Sequence, residues 1–311
     1  MAKNIILSAR TAADIDSRVD LILKDLGNPE PPLTLEMVRE LLQLDFGYYS
    51  INNPGLLQET AHKIRLAGKQ ILLRPTLLID AVRKFDLKAL YIPDQKRILL
   101  DRDEPKLKHR WNESHEIIHS VLPWHEGAML GDDASTLIPS CHAQLEHEAN
   151  YGAGKLLFLR NRFVEEALDL EQTISSVNNL AGSFGNTRTS TFWRCVETWG
   201  ARVPILGMIT GHPHPIRRKN DFDETNPCRH FIQSPAFAQR FSGVSEKNVF
   251  DEVVGYCSRN KGGPLGGGEV ILTDDNGKAH LFSLETFSFH HNILTLGIYI
   301  EPFSKAVVVT S

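Results

Sequence analysis

Apolar positions near the start of the chain recur at helical spacing, with Ala13, Ile15, Val19, Ile22, Leu23 and Leu26 on one face over residues 10–28. Gly27-Asn28-Pro29-Glu30-Pro31-Pro32 interrupts that pattern, and it resumes over 33–44, so the protein opens on two helices. A third helix is predicted over 54–68 and a short one over 75–85. The period changes at 89–103, where two apolar-rich runs flank Pro93-Asp94-Gln95 and predict a β-hairpin. A helical stretch at 111–122 follows directly.

Residues 131–136 (GDDAST) have the composition of a loop, and 141–166 reads as one long helix. Over 173–199 the pattern is helix, Gly185-Asn186 turn, helix, which has the outline of a helix-turn-helix and equally that of a helical pair packed between domains. Beyond Pro204 alternating runs surround Asp275-Asn276-Gly277, a hairpin turn, so 204–311 reads as a separate α+β region. PLGGGE at 264–269 lacks the Lys-Ser/Thr of a phosphate-binding loop and reads as a flexible loop. His290 and His291 are adjacent on a strand, so one should be exposed and the other packed.

The stretch 111–122, WNESHEIIHSVL, carries the chemistry in His115-Glu116-Ile117-Ile118-His119. Positions i and i+4 share a helix face, so His115 and His119 can offer two imidazole nitrogens to one Zn²⁺, while Glu116 reaches water at the metal as a general base. Trp111, Ile117, Ile118, Val121 and Leu122 give this helix apolar faces to bury, and two His inside such packing need partners. A catalytic zinc takes three protein ligands. One candidate third ligand is His125, at the metzincin spacing but preceded by Leu122-Pro123 where that pattern has its glycine. The other is Glu146 on the next helix, with Asn150 one turn further on to hydrogen-bond a ligand His. Glu148 points roughly 160–200° away from Glu146 around that helix, so one carboxylate of the pair binds metal and the other does not.

Composition narrows the class. At 311 residues with 41% hydrophobic and 23% charged content, two or three packed soluble domains are expected. A net charge of −4 gives no overall pull toward nucleic acid. HPIRRK at 214–219 reads as a solvated loop, and the helices over 173–199 carry only Arg188 and Arg194, with Arg202 beyond, which is thin for neutralising phosphates. Cys141, Cys195, Cys228 and Cys257 stand far apart without a CxxC and read as reduced thiols. With no signal-like or membrane-spanning run, a cytoplasmic protein with no membrane partner is expected.

HEIIH followed by EHEANYGAGKLLF resembles the ImmA/IrrE family of metallopeptidases, whose second motif reads approximately ExEANxFAxxLLMP. Glu146, Glu148, Ala149, Asn150, Ala153, Leu156 and Leu157 match it, and Ile118, Gly152 and Leu159 stand where the family commonly has Gly, Phe and Pro. The resemblance spans about residues 10–165. It implies an α+β fold with a zincin-like helical metallopeptidase domain and small β-hairpin or sheet over 1–170. A helix-turn-helix-like segment over 171–203 and a GAF-like sensor domain over 204–311 would follow. It further implies Zn²⁺, or Mn²⁺, on His115, His119 and Glu146, with Glu116 catalytic and Asn150 supporting a ligand His; the residues themselves leave Glu148 or His125 as the alternative ligand. Tyr151, His125, His142 and Arg160 are candidates for stabilising the oxyanion. The implied substrate is a helix-turn-helix transcriptional repressor, cut to release a stress-response or mobile-element programme. The competing expectation is a non-proteolytic, ligand-sensing regulator that binds DNA or a repressor.

Overall fold

A computed structural model describes residues 7–50, 88–92, 95–125, 139–220, 222–289 and 292–303. The helices expected over 54–68 and 75–85, the loop at 131–136, and His290 and His291 lie outside those residues. The fold is mixed α+β and divides into two compact units, one of residues 7–162 with 184–187, the other of 163–183 with 188–311. No described helix is long and apolar enough to cross a membrane.

In the first unit, α1 (Ala9–Asp25) is capped by Ser8, whose Oγ accepts the Thr11 N–H at 3.1 Å. Its buried face is Ile15, Val19, Ile22 and Leu23, the stripe that the apolar spacing predicts. After α2 (Leu35–Leu42) come β1 (Asp45–Tyr49), β2 (Ala89–Ile92) and β3 (Arg97–Asp101). They form a sheet in the order β1-β3-β2, with β1 parallel to β3 and the β2–β3 pair antiparallel, as the expected hairpin requires. Central strand β3 buries Ile98, Leu99 and Leu100 completely. Helix α3 (Lys106–Val121) packs on β2 and β3 and on α4 (Pro139–Leu157).

The helix expected without a break over 141–166 is divided. Leu159 and Arg160 take left-handed conformations (φ 51° and 43°), and a separate helix, α5 (Asn161–Leu168), begins after them. Leu156, Leu157, Phe158 and Leu159 are all buried. Four consecutive apolar residues span every side of a helix, and the turn keeps all four inside. Helices α3 and α4 meet closely where Gly152 faces Ile118: a Cβ on Gly152 would stand 2.7 Å from Ile118 Cγ2.

The second unit contains α6 (Ile174–Phe184), except for its last residue, and α7 (Arg188–Trp199); Gly185, between them, has φ +62°. Strands β4 (Ile205–Thr210), β5 (Cys228–Gln233), β6 (Gly263–Thr273), β7 (Ala279–Phe289) and β8 (Asn292–Pro302) form a wholly antiparallel sheet in the order β5-β4-β8-β7-β6. Helix α7 lies on this sheet: Phe192 and Val196 cover Gly207, where a Cβ would meet Val196 at 2.8 Å. Helices α8 (Pro235–Arg240) and α9 (Glu246–Tyr256) supply Phe237, Val249, Phe250 and Val253 to a core with Leu206, Met208, Phe231 and Phe282. The helical pair over 171–203 is therefore packed into the same unit as the sheet that follows it.

PLGGG, expected as a loop, is instead the first half of β6, paired with β7 across a register shift between Pro264 and Gly266. The glycines are needed for approach, since a Cβ on Gly268 would meet the Tyr256 ring at 2.8 Å. The hairpin at Asp275-Asn276-Gly277 forms as its composition predicts: Gly277 has φ +78°, and Asp274 Oδ1 accepts the N–H groups of Asn276 and Lys278.

The α3–α4 contact makes a prediction about sign. Gly152→Ala should destabilise the wild type by about 1–3 kcal/mol through overpacking. With Ile118→Ala in the background the same change should stabilise, by up to about 1 kcal/mol of helix propensity. Denaturant unfolding of the four proteins checks this, and a Gly152→Ala effect indifferent to residue 118 would remove that contact from the account.

Candidate metal centre

The C-terminal half of α3 presents His115 and His119 one turn apart, with their Nε2 atoms 3.1 Å from each other. Glu146 on α4 completes a cluster, its Oε2 3.1 Å from His115 Nε2 and its Oε1 3.6 Å from His119 Nε2. The three ligand atoms lie within 4.8 Å of one another, and no other such group occurs among the described residues. Two imidazole lone pairs cannot face each other at that separation without a proton or a cation between them. Ligands at 2.0–2.1 Å in a tetrahedral zinc site stand about 3.3 Å apart, so the spacing and the two-nitrogen, one-carboxylate donor set both fit a divalent cation.

The opposite ring nitrogens are engaged as ligation requires. His115 Nδ1 is 3.1 Å from Asn150 Oδ1, an acceptor only, so it donates there and leaves Nε2 with the lone pair. His119 Nδ1 is 2.8 Å from His125 Nδ1, and His125 Nε2 is 3.0 Å from Glu148 Oε2. Glu148 also accepts from Trp124 Nε1 at 2.6 Å and Gln144 Nε2 at 2.9 Å. His125 and Glu148, the alternative third ligands of the sequence reading, are thus not in the cluster with Glu146; they stand behind His119. For Glu148 the cause is its position on α4, which turns it from the metal side. For His125 it is the turn after α3, where its backbone N–H bonds the Leu122 carbonyl and tucks the ring inward.

The electrostatics separate the carboxylates. Burial raises the pKa of Glu146, but the His115 and His119 rings, when they carry a proton on Nε2 in place of a cation, bond to it, outweigh burial and hold the group well below the usual carboxylate range. Desolvation likewise raises Glu148, and its bonds from Trp124, His125 and Gln144 win, lowering it. Glu116 goes the other way: buried, it is raised by desolvation despite the nearby imidazoles, and it accepts the backbone N–H of Tyr91 on β2. Burial takes His125 down to about 4, against the pull of Glu148, so it is neutral at physiological pH. Desolvation lowers His115 as well, and there the Glu146 bond prevails and raises it.

Of the oxyanion candidates, Tyr151 donates its hydroxyl to Asp16 Oδ1 at 3.2 Å and Arg160 bonds the Asp16 carbonyl at 2.8 Å, so both are held toward α1. The His142 side chain lies outside the description. Sequence reasoning passed over Tyr91, Trp124 and Gln144. Only the i,i+4 spacing of Gln144 and Glu148 gave a signal for any of them.

No protein-family model and no curated protein matches the chain. A solved structure described as a Mycobacterium tuberculosis transcriptional regulator is similar in fold, with 13% identity and a TM-score of 0.50 over 96% of this chain and 94% of that one. At that identity the likeness concerns the fold alone.

If the cluster holds a metal, Zn²⁺ at a hundredfold excess over its Kd should stabilise the wild type by about 2.7 kcal/mol. His115→Ala or Glu146→Ala should abolish that gain. Calorimetric melting with and without Zn²⁺ tests this, and equal shifts in all three proteins would place binding elsewhere.

Proposed function

We propose that the chain is a divalent-metal-dependent endopeptidase of the ImmA/IrrE type, with the first unit as a zincin-like catalytic domain and the sheet of the second as a GAF-like sensor. The observation that carries this reading is the convergence of His115, His119 and Glu146 beside a buried Glu116. Two departures from the family pattern also support it jointly, because Ile118 and Gly152 face each other: the large residue has moved from α4 to α3 and the small one from α3 to α4.

Bound by the two imidazoles and Glu146, a Zn²⁺ or Mn²⁺ ion supplies Lewis acidity toward water and a peptide carbonyl. Glu116 takes a proton from the attacking water and returns it to the leaving amine, and its raised pKa brings it closer to the pH at which both transfers are efficient. The Tyr91 N–H orients that carboxylate. Strand β2 is an edge of the sheet as described, beside α3, which suits docking of an extended peptide by strand addition. The substrate proposed is a helix-turn-helix transcriptional repressor, with cleavage governed by the sensor domain.

A second reading, a regulator that binds DNA or a repressor without cutting it, is favoured by the description of the structural neighbour as a transcriptional regulator. Direct binding through α7 is poorly served. Arg194 is buried and paired with Glu197 at 2.8 Å, and Arg188 lies over the Phe289 ring.

Incubating the wild type with the helix-turn-helix repressor encoded nearest this gene should give cleavage only with added Zn²⁺ or Mn²⁺. Glu116→Gln should lower kcat/KM roughly 10²–10⁴-fold, the usual share of a general base. Tight repressor binding without cutting under either metal would instead favour the regulator.

A further inference from the structure

We propose that His125 is a positioning residue that fixes His119 in its ligating tautomer, with Glu148 as its anchor; the inference rests on the metal-dependent reading above. His125 has no exposed surface and Glu148 is 2% exposed, so water satisfies little of either. The direction of the hydrogen-bond chain follows from its far end. A carboxylate already accepting from Trp124 and Gln144 can only accept again, so His125 Nε2 donates to Glu148. Two ring nitrogens 2.8 Å apart share one proton, and with the His125 Nε2 proton already committed to Glu148, a His119 that ligates through Nε2 supplies it from Nδ1. His119 Nε2 is then its single free lone pair, and it faces His115 Nε2 and Glu146.

The two ligand imidazoles are therefore held by different devices. His115 is set by the neutral amide of Asn150 on α4. His119 is set by a buried chain that ends on an anion, which raises the donor strength of its Nε2 as well as fixing its orientation. A side chain that merely filled the space beyond Pro123 would need neither nitrogen.

The test uses that difference. In the full-length protein, Asn at 125 places an acceptor oxygen near the site of Nδ1, whereas Gln reaches the position of Nε2 and leaves His119 without an acceptor. Zn²⁺ affinity measured by competition with a chromophoric chelator should fall roughly 10–100-fold in His125→Gln and stay within roughly a factor of three in His125→Asn. Equal affinities in wild type and both folded variants would overturn the proposal. So would equal losses in the two variants. Should the variants fail to fold, ¹⁵N NMR of the wild-type rings decides: the proton on Nδ1 of His119 and on Nε2 of His125 supports the relay, and the reverse tautomers overturn it. Because affinity is read without substrate, a protein that binds Zn²⁺ as expected but cuts no repressor defeats only the peptidase reading. A wild type with no Zn²⁺ affinity defeats the metal reading and the positioning role together.

Discussion

Helix α3 lies close against α4 because Gly152 offers no side chain to Ile118, and that separation lets one carboxylate of α4 reach both imidazoles of α3. The spacing of His115 and His119 is set within a single helix by its pitch. The third corner is not, since it depends on how far apart two helix axes lie, a distance that varies by an ångström or two with the residues at the contact. A metal site tolerates only about 0.5 Å of misplacement. The Gly152–Ile118 pair is thus as much a part of the candidate site as the clustered side chains, although neither residue carries a polar side chain.

Bringing charged groups into that interface has a cost, and the three carboxylates meet it differently. Glu148 is saturated with donors, and Glu146 is bonded to two imidazoles, so both are stabilised as anions. Glu116 accepts a backbone N–H on the sheet side and is pushed toward its neutral form. Environments that drive neighbouring carboxyl groups apart in this way are what assign acid–base roles. Here the divergence sets Glu116 apart from Glu146 and Glu148.

Much of this was legible in the residues. Helical periodicity located α1 and α2, the period change at 89–103 located the β2–β3 hairpin, and Asp275-Asn276-Gly277 marked the β6–β7 turn. Two ligand candidates followed from i,i+4 spacing, and the third from a motif on the next helix. What failed was decided by burial. The apolar run Leu156–Leu159 reads as helix continuing, and it breaks because all four side chains are needed inside. PLGGG reads as loop because glycine is rare in strands, and it is strand because Tyr256 packs where side chains would otherwise stand.

The placing of His125 and Glu148 is the more instructive case. Angular position along α4 puts Glu148 on another side from Glu146, and Leu122 stands where the metzincin pattern has its glycine ahead of His125. Each of those two features belongs to a single element, and each concerns only whether a side chain reaches the cluster of His115 and His119. A buried polar group poses a different question: where its hydrogen bonds end. His119 has two nitrogens, and satisfying the one that faces away from His115 and Glu146 requires a partner from outside α3. Pro123 ends the helix in time for His125 to fold back to that place, and the inward face of α4 opposite Glu146 is where an anion can terminate the chain. Two residues that compete for one ligand position in the sequence lie bonded to each other behind His119, a placement that three elements of the fold set together.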